Sequence, residues 1–569
     1  MRNQEIAEIF RDIANILEIK GENPFRIRAY ERAAQNIEGL SEDIENFIEQ
    51  DRLKEIPGIG QDLSKRIKEF AATGKIKLYE EMKRSIPEGV LALLDIPGVG
   101  PKTAKLLYEK LKIKSLKGME KAIAQNKLRG IFGIKQKSIE NISKGIEILK
   151  KGRERLTLPQ AAIIADGFTG KLKKLSAVKK ISAAGSLRRQ KETVRDIDIL
   201  VISDNPKKVM DAFTKMPQVK DIIAYGSTKS SLRTRDRVQV DCRVVPERSF
   251  GAALLYFTGS KNFNIKLRQM AQKRGLKINE YGIFRKERFI AGKTEEEIFK
   301  ALGLAYIEPE LRENNGEIES ARQARLPHLI ELKDIRGDLH AHSLWSDGNN
   351  SIQEMAQAAG DLGYSYIAIT DHSQSLKVAG GLNLADLKKK RREIEQLNKR
   401  LKNFRVLYAA EVDIDSLGRL DYPDKVLKEF EVVVGAIHSG FKQSREQLTR
   451  RLLKACQNKY VHIIAHPTGR LWGTREAYDL DLEAVFKVAC ETNTALEINA
   501  FSQRLDLNSQ HCRRAKEMGV RLAIGTDAHL KEHLSAMRFG IAVARRGWLS
   551  KEDVINTLPV EKLLNSIRK

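Results

Sequence analysis

The sequence is short of several things, and each shortage excludes something. There are only four cysteines, Cys242, Cys456, Cys490 and Cys512, and no C-x-x-C pair. That excludes a disulfide scaffold and a cysteine zinc site, and it fits a reducing cytoplasm. No run of about 18 apolar residues occurs, so no segment reads as a membrane span. The opening stretch, "MRNQEIAEIFRDIANILEIKG", is charged and amphipathic and lacks the apolar core of a signal peptide. The expectation is a cytoplasmic protein with no membrane partner. Histidine is scarce and unevenly spread: there are ten, and none precedes His328. Any chemistry that needs imidazole is therefore confined to the last part of the chain.

What is present is length and positive charge. A chain of 569 residues is too long for one core, and about two to four domains are expected. The formal net charge is +26. Residues 101–300 hold 46 Lys+Arg and 20 Asp+Glu, which accounts for all of it. An excess this localised points to a polyanion, most simply nucleic acid.

Residues 1–150 read as helices. Ile6, Ile9, Phe10, Ile13 and Leu17 form a helical stripe, and Pro24 sits near a second helix start. Two segments echo each other: "IPGIGQDLSKRI" at 56–67 and "IPGVGPKTAKLL" at 96–107. Each glycine pair, Gly58 with Gly60 and Gly98 with Gly100, allows a sharp turn close to a ligand. The helix that follows starts with N–H groups free to face phosphate. The repeat resembles the helix-hairpin-helix element, which holds DNA backbone without reading sequence. A degenerate third copy, "IFGIKQKSIENI", has Lys135 in place of the second glycine.

Beyond about residue 155 the texture becomes mixed strand and helix. "VRDIDILVIS" places Asp196 and Asp198 two apart on a strand, so both carboxylates face one side. "RVQVDCRVV" supplies Asp241 on a second strand. Three gathered carboxylates suit two divalent cations about 3.5–4 Å apart, and Mg²⁺ suits a site that shares its ligands with phosphate. Gly185 and Ser186 open a turn able to hold phosphate, and Arg189 offers a guanidinium fork.

With these motifs the chain resembles DNA polymerase family X, the family of polymerase beta. The resemblance implies that Asp196 and Asp198 bind both metals. Asp241 would bind the catalytic ion and help deprotonate the primer 3′-hydroxyl. It extends to "YFTGSKNFNIKLRQMA" at 256–271. There it implies a sugar pocket from Tyr256, Phe257 and Gly259, and contacts to nucleotide and template from Asn264 and Arg268. Arg243, two after the third aspartate, also fits. One position departs. Where polymerase beta carries its lyase lysine this chain has Arg66, which stays protonated and is no nucleophile. Lys65 points about 100° away round the helix. Arg32, Lys65 and Arg66 are left to hold a 5′-phosphate at a gap.

From residue 335, seven strand-like runs alternate with helical patterns, which implies parallel strands with a site at their carboxyl ends. At those ends stand His340, His342, Asp347, His372, Glu411, His438, His466, Asp527 and His529. Imidazoles with carboxylates suit Zn²⁺, Mn²⁺ or Fe. The set resembles the polymerase and histidinol phosphatase (PHP) domain. That resemblance implies a distorted seven-stranded barrel with three metals. One would take His340, His342, Glu411 and Asp527, a second Glu411, His438 and His466, and a third Asp347, His372 and His529. His328, His462, His511 and His533 read as structural, with His533 near the mouth. Arg419, Arg470 and Lys531 are candidates for meeting substrate phosphate.

The expected fold is therefore multidomain. A helical helix-hairpin-helix domain spans 1–90 and a fingers-like subdomain with the second hairpin spans 91–154. An α+β nucleotidyltransferase palm spans 155–250, a thumb 251–312, a linker 313–333, and an α/β (β/α)7 PHP barrel 334–569. The expected function is DNA-directed DNA polymerisation filling short gaps in repair, with a 3′–5′ exonuclease or phosphoesterase in the PHP part, for which abasic-site endonuclease action is a further option. The alternative is an end-processing nuclease whose polymerase half only clamps DNA. Expected cofactors are Mg²⁺ or Mn²⁺ in the palm and three Mn²⁺ or Zn²⁺ in the barrel. Expected partners are gapped or nicked DNA with 3′-hydroxyl and 5′-phosphate ends and deoxynucleoside triphosphates, bound by a monomer.

Overall fold

The computed structural model describes residues 2–39, 44–56, 58–86, 90–94, 96, 99–129, 131, 134, 138–140, 142, 143, 146 and 155–569. Gly98 and Lys135 lie outside them. None of the described helices is long and apolar enough to cross a membrane.

The N-terminal helices Arg2–Lys20 and Pro24–Gly39 pack along the expected stripe, with Ile6, Phe10, Ile13 and Leu17 buried. The described parts of the two hairpins correspond: the Ile59 N–H donates to the Ile56 carbonyl at 3.0 Å and the Val99 N–H to the Ile96 carbonyl at 2.9 Å. Ile56 and Ile59 anchor the first in one core, and Ile96 and Val99 anchor the second in another. Gly60 precedes the helix Gln61–Thr73, and Gly100 precedes Pro101–Leu111, both in extended conformation. Gly58 turns with φ +77°, a conformation that disfavours any side chain.

The palm is a five-stranded sheet: β1 (Val178–Ala183), β2 (Asp196–Ser203), β3 (Val219–Tyr225), β4 (Lys229–Thr234) and β5 (Gln239–Val244). Their order is β1-β2-β5-β4-β3, with β2 and β5 parallel. Strand alternation sets the two faces of β2. Ile197, Ile199 and Val201 pack under the helices Leu158–Lys173 and Pro206–Thr214. Leu200 and Ile202 face the other way, against Phe250 and Leu254 at the start of the thumb. Asp196 and Asp198 share that second face. The thumb adds helices Phe250–Thr258 and Lys261–Gln272, a three-stranded meander and the helix Glu295–Ala301 over their own core.

One buried carboxylate fixes thumb to palm. Glu295 is 3% exposed and accepts bonds from Arg188 (2.8 and 2.7 Å), from Arg312 (2.5 and 3.2 Å) and from Tyr306 (3.1 Å). Burial alone would raise its pKa, but the two guanidinium groups outweigh it and hold the carboxyl down at about 2.

The last third is a barrel of seven parallel strands in chain order. They are β6 (Gly337–Ala341), β7 (Tyr366–Ile369), β8 (Arg405–Asp413), β9 (Val432–Ala436), β10 (Ile463–Ile464), β11 (Ala495–Asn499) and β12 (Leu522–Gly525). A bridge from Ala341 to Ala528 brings the first strand against the chain just past the last. Leu563, Leu564 and Ile567 of the last helix, Val560–Ile567, pack with Leu339, Leu407, Val434 and Ala523 of the strands. The apolar filling is thus supplied partly by the chain's own last turns.

Palm and barrel share one hydrophobic core, which runs from Leu158 and Phe168 through Ile199 to Ile352, Val412 and Phe539. Polar bonds flank it. Glu192 receives Arg470 Nη1 at 3.1 Å and the Ser509 N–H at 3.0 Å. Arg546 donates to the Arg189 carbonyl at 2.7 Å and to Glu313 at 3.1 Å. Residues 313–333 are ordered: they include the helix Glu317–Arg322, whose Glu317 is fully buried, and the Ile330 N–H donates to the Leu549 carbonyl. Leu530, just past the last barrel strand, is buried in the N-terminal core.

Candidate active sites

All nine expected barrel ligands converge. Among the described residues, three groups hold ligand atoms within 4.8 Å of one another: His342, Asp347, His372 and His529; His340, His342 and Asp527; and His372, Glu411 and His438. Glu411 is the hub. Its oxygens lie 2.8 Å from His372 Nδ1, 3.3 Å from His438 Nε2, 3.0 Å from His466 Nε2 and 3.5 Å from His340 Nε2. The grouping differs from the one the family resemblance implies. His372 turns one nitrogen to Glu411 and the other to Asp347 at 3.5 Å, so it stands between two groups. His466 meets Glu411 but joins none of the three.

The residues fit divalent cations. Among the described residues, His340 Nε2 and both ring nitrogens of His342 are buried with no hydrogen-bond partner. Burial, then His529 and His372, push His342 down to about 4, which keeps the ring neutral and one nitrogen lone pair free. Burial opposes charge on Glu411, but His438, His372 and His340 hold it well below the ordinary carboxylate range. Asp527 sits with φ +55° and His466 with φ +28°, backbone positions in which side chains are uncommon. Such positions are often kept where a site requires them.

Supporting carboxylates that no sequence pattern revealed stand behind the ligands. Glu497 Oε1 lies 2.6 Å from His340 Nδ1, and Asp413 Oδ1 lies 3.1 Å from His438 Nδ1. Arg504 Nε donates to Asp527 at 3.2 Å. Partners of this kind orient imidazole ligands and raise their basicity. Of the three expected phosphate contacts, Arg470 is committed to Glu192 and the carbonyls of Arg504 and Leu505. Arg419 is exposed and paired with Asp415, and Lys531 opens the turn Lys531–Ala536. His462 accepts the Val433 N–H at 3.0 Å, while His533 is buried and packs edge-on to Phe501.

In the palm, the parallel register sets Asp198 directly opposite Asp241. Burial, then repulsion from Asp196 and Asp241, raise the Asp198 carboxyl to about 6. Such mutual repulsion is what cations between carboxylates relieve. The turn at Gly185 passes so close that a Cβ there would lie 2.6 Å from Asp198 Oδ2, and φ is +64°. Ser186 follows in the same turn. Arg189 is nearly buried, pairs with Glu313 at 3.0 Å and donates to the Thr258 carbonyl. Tyr256 is exposed and meets Phe257 edge-on, while Arg243 lies over the Phe257 ring at 4.5 Å. Past Gly259, Asn264 Nδ2 donates to the Tyr256 carbonyl at 2.7 Å and Arg268 to the Asn264 carbonyl at 3.3 Å. In the first hairpin Arg66 pairs with Asp62 at 3.0 Å, Lys65 is exposed, and the Arg32 side chain runs beside Gly58.

Comparison with known proteins bears on both sites. Residues 1–76 match the family "Helix-hairpin-helix domain" and 90–147 "SAM-like Helix-hairpin-helix tandem". Residues 253–313 match "DNA polymerase beta thumb", and 338–501 match "PHP domain". The "DNA polymerase/3'-5' exonuclease PolX" of Bacillus subtilis (strain 168) is 41% identical over 563 residues, 98% of this chain and 97% of that protein. The chain belongs to the PolX family. Two other relatives each match one part of this PolX chain. A probable phosphatase of Thermoanaerobacter sp. (strain X514) is 30% identical over 232 residues, 39% of this chain and 89% of its own. DNA polymerase lambda of Rattus norvegicus is 24% identical over 346 residues, 55% of this chain and 56% of its own.

Proposed function

We propose that this PolX chain extends DNA 3′ ends from deoxynucleoside triphosphates in its palm and trims 3′ ends in its barrel, acting on short gaps during repair. The observation that carries this is 41% identity over nearly the full length to a polymerase/3′–5′ exonuclease, in a chain that holds two separate constellations of charged residues.

In the palm, Asp196, Asp198 and Asp241 would hold Mg²⁺ or Mn²⁺, with Asp241 beside the primer hydroxyl. The Gly185–Ser186 turn and Arg189 would cradle the triphosphate. Tyr256, Phe257 and Gly259 would wall the sugar, with Asn264 and Arg268 alongside base and template. In the barrel the nine ligands would hold Mn²⁺ or Zn²⁺. Divalent cations held there would neutralise charge that grows on phosphate oxygens and would lower the pKa of the attacking group. The chain's own part is to fix the ligands: Glu497 and Asp413 hold His340 and His438, and Arg504 holds Asp527. The hairpins at Gly58, Gly60, Gly98 and Gly100, with Arg32, Lys65 and Arg66, would grip backbone on either side of a gap. The basic block supplies attraction without sequence preference.

Two double variants on one gapped duplex test the reading. Asp196→Ala/Asp198→Ala should abolish extension and leave trimming. His340→Ala/His342→Ala should do the reverse. Normal trimming by the histidine variant would sink the two-site reading, and failure of the native chain to extend would leave only a nuclease with a DNA clamp.

A further inference from the structure

Behind the barrel ligands lies a fully buried ion pair that binds no expected substrate or cation. Lys390, on the helix Leu384–Asn398, is 0% exposed. Its ammonium stands 2.9 Å from Asp371 Oδ2 and donates to the Ile369 carbonyl at 2.8 Å and the Ala409 carbonyl at 3.0 Å. Three acceptors match the three protons of an ammonium group. Burying a lysine is costly and persists only with such complete pairing.

Asp371 is equally committed. Oδ1 accepts the Ser343 N–H at 2.7 Å and the Ser346 hydroxyl at 2.8 Å, and Oδ2 accepts the Ser343 hydroxyl at 2.8 Å. The partners are not scattered. Ser343 directly follows His342, Ser346 directly precedes Asp347, and Asp371 directly precedes His372. One carboxylate therefore fastens three chain positions, each adjacent to a member of the group His342, Asp347, His372 and His529. The carbonyls held by Lys390 belong to β7 and β8, the strands that lead to His372 and Glu411. His340 and His438 have other supports, Glu497 and Asp413.

We propose that Lys390 and Asp371 are positioning residues that set His342, Asp347 and His372 in the geometry of one cation site, without touching cation or substrate. The proposal rests on the reading of the barrel cluster as a metal centre. Its distinguishing consequence is selectivity: disturbing the pair weakens one cation site more than the others and leaves the palm alone. A pair that merely filled space behind the strands would lower stability and spare metal binding.

The test uses the full chain stripped of metal, with Mn²⁺ titrated calorimetrically and bound ions counted by atomic emission. Lys390→Met, Asp371→Asn, their double variant and Ser343→Ala/Ser346→Ala are compared with the native sequence. The native chain should bind three ions in the barrel, counted above those retained by a His340→Ala/His342→Ala/Glu411→Ala control. Each variant should bind one of them roughly ten- to a hundredfold more weakly. The double variant should not recover, because one amide oxygen cannot accept all three serine bonds. Primer extension and the thermal midpoint report folding, and the serine variant leaves the charges paired, so it keeps the test open if the others unfold. Unchanged affinity for all three ions in the serine variant overturns the proposal. So does recovery of the third ion in the double variant, which would reduce the role to charge balance. A native chain with no ions above the control overturns the metal-centre reading and the proposal with it.

Discussion

Glu295 makes the link between thumb and palm measurable. Its carboxylate, 3% exposed, is shared by Arg188 of the Gly185–Ser186 turn and by Arg312. Holding it at about 2, from an ordinary 4.5, is worth about 3 kcal/mol at neutral pH. The sign follows from the depressed value: the stabilisation is complete above about 4.5 and fades as pH falls toward 2. Glu295→Gln keeps the shape but leaves the buried Arg312 and the part-buried Arg188 guanidinium groups facing an amide, so it should cost about 3 kcal/mol. In a chain of several domains that cost appears as local opening rather than as one global transition. Hydrogen exchange is the assay. Peptides covering 295–301 and 306–312 should lose protection by about two orders of magnitude at pH 7, while barrel peptides hold theirs. The gap between native and Gln variant should close as pH approaches 2, after correction for intrinsic exchange. A loss under about fivefold, or an equal loss across the barrel, would refute the assignment of this energy to Glu295.

Two further outcomes follow from features already described. Gly185→Ala forces a Cβ to 2.6 Å from Asp198 Oδ2 at φ +64°, so extension should fall about a hundredfold while trimming persists; extension within twofold of native would remove the close approach from the argument. DNA affinity measured by fluorescence anisotropy should fall steeply with salt, with a log–log slope steeper than about −4, since the whole formal charge resides in residues 101–300; a flat slope would contradict the basic block as the DNA-holding surface.

What the sequence made legible was local. The D-x-D of β2 and the H-x-H of β6 are spaced by strand alternation, and the paired hairpins repeat within fifty residues. What stayed hidden depends on distant partners. Glu497 supports a histidine 157 positions away, and nothing near it marks it apart from any strand glutamate. Arg470 resembled a phosphate contact because it follows His466 closely. Its carboxylate lies 278 residues upstream, in the palm, and that partner decides its use. Lys390 lay in a run of charged residues that reads as a solvated helix face, and only the packing of β7 and β8 beneath it shows otherwise. The positive φ of His466 and Asp527 is likewise invisible to hydropathy.

The continuous core between palm and barrel carries a kinetic consequence. On the proposed two-site reading, centres built into one packed body do not approach each other by hinge motion between those two domains. A primer terminus would then move between them by leaving one and being captured by the other. The choice between growing and shortening a strand then becomes a race: the lifetime of the terminus in the palm against the time to incorporate the next nucleotide. Nucleotide concentration would tilt that race without any signal passing through the protein.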